Sequence, residues 1–108
     1  QLKLNNMINI NTYKKKGYIN KVTIKGHSGY SEYGTDIVCA SVSSIATTTV
    51  NAIARLNNDL IYFDDKDGFL VIEIKENDRV INILVNNMLD LFRELENDYP
   101  KNVKIKNN

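Results

Sequence analysis

A period of two that gives way to a period near 3.6, twice over, constrains this chain more than any single residue. Ile8, Asn9, Ile10 and Asn11 alternate apolar with polar inside Met7–Tyr13, which is the signature of a half-buried strand. Lys14–Gly17 reads as a polar turn. Alternation resumes over Tyr18–Lys25, with Val22 and Ile24 on one face and Lys21, Thr23 and Lys25 on the other, so the two runs form a hairpin. Gly26–Thr35 fits no period and reads as a loop. A helix is expected from Thr35 or Asp36, both good N-cap types, with Val38, Val42, Ile45, Thr49, Ala52 and Leu56 on its buried face and Asn57-Asn58 at its end.

The rhythm then repeats. Leu60–Phe63 is a short apolar run, Asp64–Gly68 a turn, and Phe69–Lys75 an alternating strand with Leu70, Ile72 and Ile74 on one face. Asn77 or Asp78 caps a second helix, whose expected buried face is Val80, Leu84, Met88, Leu91 and Leu95. Asn97–Pro100 stops it, because proline cannot continue the hydrogen-bond ladder. Val103 and Ile105 mark a last short strand. The order ββαββαβ implies an α+β fold: a two-layer sandwich of two helices on a mixed or antiparallel sheet. The Asp64–Gly68 turn invites a calcium loop, but Phe63 stands at the first ligand position and Ile74 at the closing glutamate. No metal or other cofactor is expected.

At 108 residues the chain is long enough for one two-layer core and too short for two. Residues 7–108 are expected to form that single domain. Met7 stands just before the alternation begins, so residues 1–6 are expected to be an appended remnant or a disordered leader. A formal net charge of +1 gives no chain-wide field to gather nucleic acid, and no direct nucleic-acid partner is expected. Lys14-Lys15-Lys16 and Lys101, Lys104, Lys106 are the local basic runs, and they read as a solvated turn and an edge strand. One cysteine allows no internal disulfide, which favours a reducing, cytoplasmic setting. No apolar run is expected to span a bilayer, and no leader with the pattern of a secretion signal is seen.

Residues 26–49 hold the only histidine, His27, and the only cysteine, Cys39. A thiol nucleophile needs a sulfur ionised near neutral pH and an imidazole to move its proton. With Asp36 as N-cap, Cys39 falls in the first helical turn, where unpaired N–H groups and the helix dipole favour a thiolate. The same N–H groups suit the oxyanion of an acyl transfer. A loop between the two residues allows the imidazole to fold back on the sulfur. The plainer readings stand beside this one: a cysteine among Val and Ala is also a small buried hydrophobe, and a histidine beside glycines is also a turn residue.

Gly26-His27-Ser28-Gly29-Tyr30, then Glu32-Tyr33-Gly34, then Asp36-Ile37-Val38-Cys39-Ala40 with Val42 and Ser43, resembles the signature of the ribosomal-processing cysteine proteases, the Prp family. The match is colinear, and the resemblance in element order and length extends it from Met7 to the C-terminus. It implies a homodimeric endopeptidase that removes the N-terminal extension of a large-subunit ribosomal protein. It implies Cys39 as nucleophile and His27 as general base and then acid. Gly26, Asp36 and Ser43 also match the pattern. From the residues alone, Asp36 either caps the helix or orients His27. Ser43, one turn after Cys39, either bonds within the site or satisfies a carbonyl one turn back. Gly26 either lets the chain approach a peptide or is an ordinary strand end. The competing functional reading is a non-enzymatic ribosome-associated or RNA-binding module that uses the basic runs. A dimeric scaffold without chemistry, packed through the small-residue helix, is a third.

Overall fold

The structure, a computed structural model, describes residues 7–26 and 35–108. Five strands form one sheet: β1 (Ile8–Lys15), β2 (Tyr18–Lys25), β3 (Ile61–Lys66), β4 (Phe69–Ile74) and β5 (Val103–Asn107). Two helices, α1 (Thr35–Leu56) and α2 (Arg79–Asp98), complete the order ββαββαβ, and a single 3-10 turn, Asn58–Leu60, precedes β3. The expected α+β sandwich is what forms.

Across the sheet the strands run β3-β4-β2-β1-β5. All pairs are antiparallel except β1 with β5. It follows that β2 and β3 run parallel with β4 between them, and that β4 and β5 run parallel with β2 and β1 between them. The two crossovers move in opposite directions from strands of opposite sense. Connections of one hand then put both helices on the same face. That face is the core, where Ile8, Ile10, Val22, Ile24, Leu70, Ile72 and Val103 are buried against α1 and α2.

Both hairpins turn more tightly than their polar stretches suggest. The connections are Lys16-Gly17 (φ 55° and 83°) and Asp67-Gly68 (φ 50° and 82°). Two central residues at positive φ match the right-handed twist of the flanking strands, so a polar residue followed by glycine suffices. Asp64, Asp65 and Lys66 therefore belong to β3 rather than to a turn, and Lys14 and Lys15 pair with Ile19 and Tyr18 after an irregularity at Tyr13/Lys14.

Each helix buries a face that overlaps the expected one but is rotated from it: Val38, Val42 and Met88 are buried as expected, and Ile45, Leu84 and Leu95 flank the core. In α1 the buried residues are Val38, Cys39, Val42, Ala46, Val50 and Ile53, while Leu56 is exposed. In α2 they are Ile81, Val85, Met88, Leu89 and Phe92, and Val80 is half exposed. Apolar residues occur on both sides of each stripe, so the spacing fitted two neighbouring faces and packing chose between them. Asp78 caps α2 by accepting from the Ile81 N–H at 2.9 Å. The Tyr99 N–H closes the other end on the Leu95 carbonyl at 2.7 Å, just before Pro100.

The C-terminal edge is tied down. Thr12, fully buried in β1, donates to Asn107 Oδ1 at 2.7 Å. The outward Ile105 N–H of edge strand β5 donates to Glu96 Oε2 at 3.0 Å, so a helix carboxylate covers a group that would otherwise invite another strand. Among the described residues one helix, over Ile37–Leu56, is long and apolar enough to cross a membrane by length and composition alone, which corrects the expectation that no run reaches that length. Its buried stripe packs on the sheet, as the core helix of a two-layer sandwich does.

Candidate active site

Strand β2 lies at the centre of the sheet and delivers the chain to the site. Its last residue, Lys25, pairs with Asn9 on one side and Phe69 on the other. Gly26 follows at φ +99° and donates its N–H to the Gly68 carbonyl at 3.0 Å. A Cβ at Gly26 would lie 2.6 Å from the Met7 carbonyl oxygen. Glycine is thus required by the chain's own backbone, at its close approach to Met7. The exit of β2 is clamped between the start of β1 and the β3–β4 turn. A hollow of about 480 Å³ opens beside it, lined by Lys25, Gly26, Asp67, Gly68 and Phe69. Sequence reasoning passed over Gly68 and Phe69. The signal that pointed to them was the Asp67-Gly68 pair, which marks a two-residue turn.

His27, the expected base, lies outside the described residues, as do the two tyrosines Tyr30 and Tyr33 of the loop. The chain re-enters at Thr35, the first residue of α1. Asp36 is therefore the second helical residue and not the one before the helix, and Cys39 is the fifth. This corrects the cap assignment. It moves Cys39 from the first turn into the second, where the N-terminal dipole still acts but more weakly.

Cys39 is 6% exposed and belongs to the hydrophobic core with Val38 and Val42. Ser43 sits one turn later on the same side of α1 and is half-buried. Elsewhere on α1, the helix borders a groove of about 430 Å³ with α2, lined by Ala40, Ser41, Ser44 and Ile45 on one side and Leu91, Glu94, Leu95 and Asp98 on the other. On the α1 side three of its four lining residues, Ala40, Ser41 and Ser44, are small, which leaves room for the groove. Among the described residues no group of three or more His, Cys, Asp or Glu side chains is placed to hold a metal ion.

The family model for the cysteine protease Prp matches residues 7–104. This chain belongs to the Prp family of cysteine proteases. The ribosomal processing cysteine protease Prp of Staphylococcus aureus is 31% identical over 97 residues, covering 87% of this chain and 92% of that protein. The crystal structure of the S. aureus Prp in complex with a substrate peptide is similar with a TM-score of 0.86 at 26% identity, covering 94% of this chain and all of that one. A second S. aureus Prp structure, with a covalently linked product peptide, gives a TM-score of 0.80 at 28% identity, again with 94% and 100% coverage. The family match runs from the start of β1 into β5, and the structural likeness covers 94% of the chain, so the fold and the class of enzyme, a cysteine protease, stand together.

Proposed function

We propose that this chain is an endopeptidase that removes the N-terminal extension of a large-subunit ribosomal protein, with Cys39 as nucleophile and His27 as general base and then acid. The observation that carries the reading is the position of the only cysteine early in α1, on the helix that follows the clamped exit of β2 at Gly26. The covalently linked product peptide on the S. aureus relative supports a route through a bond to the enzyme.

In this mechanism the His27 imidazole takes the thiol proton and the Cys39 sulfur attacks the scissile carbonyl carbon. The imidazolium then gives its proton to the departing amine, leaving a thioester. Water, deprotonated by the same imidazole, attacks the thioester and returns the thiol. Asp36 and Ser43 act as supporting positions in the first turns of α1, and Gly26 supports the site by fixing where the chain leaves the sheet. Because Cys39 is nearly covered, substrate binding must uncover the sulfur. The enzyme works as a cytoplasmic homodimer, without a cofactor and away from membranes.

The test is a cleavage assay on a peptide spanning the extension, with wild type, Cys39→Ala and His27→Ala. Wild type cleaves at one bond, and both variants are inactive with unchanged circular dichroism. Cleavage by either variant at the wild-type rate overturns the assignment.

A further inference from the structure

We propose that the sheet face turned away from the helices is a docking surface for single-stranded RNA. A net charge of +1 conceals how the fold sorts its charges. Helix α2 carries Asp90, Glu94, Glu96 and Asp98 against Arg79 and Arg93. The outer sheet face carries Lys21, Lys25, Lys66, Lys104 and Lys106 against Asp64 and Glu73. Directly paired residues point to the same face, so the strand registers fix this set.

At one end of that face a single row crosses all five strands: Lys104, Asn9, Lys25, Phe69 and Lys66 are successive cross-strand partners. With strands about 4.8 Å apart, its terminal lysines are roughly 19 Å from each other. At the other end the row Tyr13, Lys21, Glu73 and Tyr62 runs across four strands. Lys21 Nζ lies 5.7 Å from the Tyr13 ring centre. Phe69 and Tyr62 are 41% and 46% exposed, and Tyr13, with Lys21 over one side of its ring, is 37% exposed, so two open rings and one lysine-capped ring stand on a lysine-rich sheet face.

Lysines alone would suit any polyanion, including an acidic protein segment. Open aromatic rings between them are what a single strand of RNA uses, since its bases stack on rings while its phosphates meet cations. Asn9 and Asn11 stand among them on β1 and can donate to and accept from base edges. Lys25 and Phe69 of this face also line the hollow beside Gly26, so the variants below leave both unchanged; the proposal does not involve Cys39 and holds whether or not Cys39 is the nucleophile.

The test is an anisotropy titration of a fluorescent oligouridylate of about 12 nucleotides with the full chain. Binding is expected with a Kd of roughly 1–100 μM, weakening between about 50 and 200 mM salt with a log–log slope of about −2 to −4. Lys66→Glu/Lys104→Glu/Lys106→Glu should weaken binding at least about tenfold and flatten that slope. Tyr13→Leu/Tyr62→Leu should weaken it about tenfold with the slope retained, the mark of lost stacking. Both variants should cleave a free peptide at the wild-type rate, which shows that they fold. No binding at low salt, equal affinity in the charge-reversed variant, or equally effective competition by oligoglutamate would each overturn the proposal, the last by making the face a site for acidic protein.

Discussion

Gly26 and Met7 approach so closely that a methyl group on the glycine would meet the Met7 carbonyl oxygen at 2.6 Å. The contact joins the start of β1 to the end of β2 at the point where the chain leaves the sheet for His27. A residue of the Prp signature is therefore held by the fold's own backbone.

Gly26→Ala should be markedly more disruptive than Gly17→Ala. Both positions have positive φ, which costs a residue with a Cβ about 1–2 kcal/mol. Only Gly26 adds a backbone collision, since nothing lies within 4 Å of a Cβ at Gly17. Urea unfolding of the two variants checks this, with the Gly26 variant expected to have the lower midpoint and to lose peptide cleavage as well. Equal midpoints would mean that the Met7 contact relaxes freely.

Cys39→Ala should separate stability from activity. The side chain is a small member of the core, so the change should move unfolding free energy by only about 1 kcal/mol in either direction. Peptide cleavage should fall by roughly a thousandfold or more if the sulfur is the nucleophile. A large loss of stability with proportionate loss of activity would make Cys39 a packing residue.

Ile81→Ala and Val80→Ala should differ sharply although the residues are adjacent. Ile81 is 1% exposed and Val80 50%. The first should cost about 2–5 kcal/mol and the second no more than about 0.5 kcal/mol. Thermal unfolding decides it, and the reverse order would restore the face read from spacing.

Asp78→Ala should cost about 1 kcal/mol by removing the acceptor for the Ile81 N–H. For a domain of this size that is a fall in Tm of roughly 4–8 °C. Asp78→Asn should recover most of it, because an amide oxygen can cap equally well. Failure of the asparagine variant to recover would point to a role for the charge.

Much of the fold could be read from local pattern because strands and helices here carry their own periodicity. Val22 and Ile24, or Leu70, Ile72 and Ile74, can face only one way once a strand is drawn. The helices were less legible. Ile81, Leu84, Val85, Met88, Leu91, Phe92 and Leu95 cover more than one stripe of α2, and nothing local distinguishes Val80 from Ile81 as the inward residue. Turn lengths were overestimated for a related reason: Asp64, Asp65 and Lys66 are turn-like in composition, yet pairing with Val71, Leu70 and Phe69 holds them in β3. At the candidate site, the sequence singled out Cys39 and Gly26 through a colinear signature, but the partner that makes Gly26 necessary lies far along the chain at Met7.

What the sequence settled unaided was the element order, the kinship with a cysteine protease family, and the residue types available for chemistry. These are properties of neighbouring residues and of ordered motifs. The tertiary structure alone decided the strand order β3-β4-β2-β1-β5, the face each helix buries, the depth of Cys39, and the gathering of lysines and aromatic rings on one side of the sheet. Each of those depends on contacts between segments distant in the chain, where packing and backbone pairing outweigh local preference.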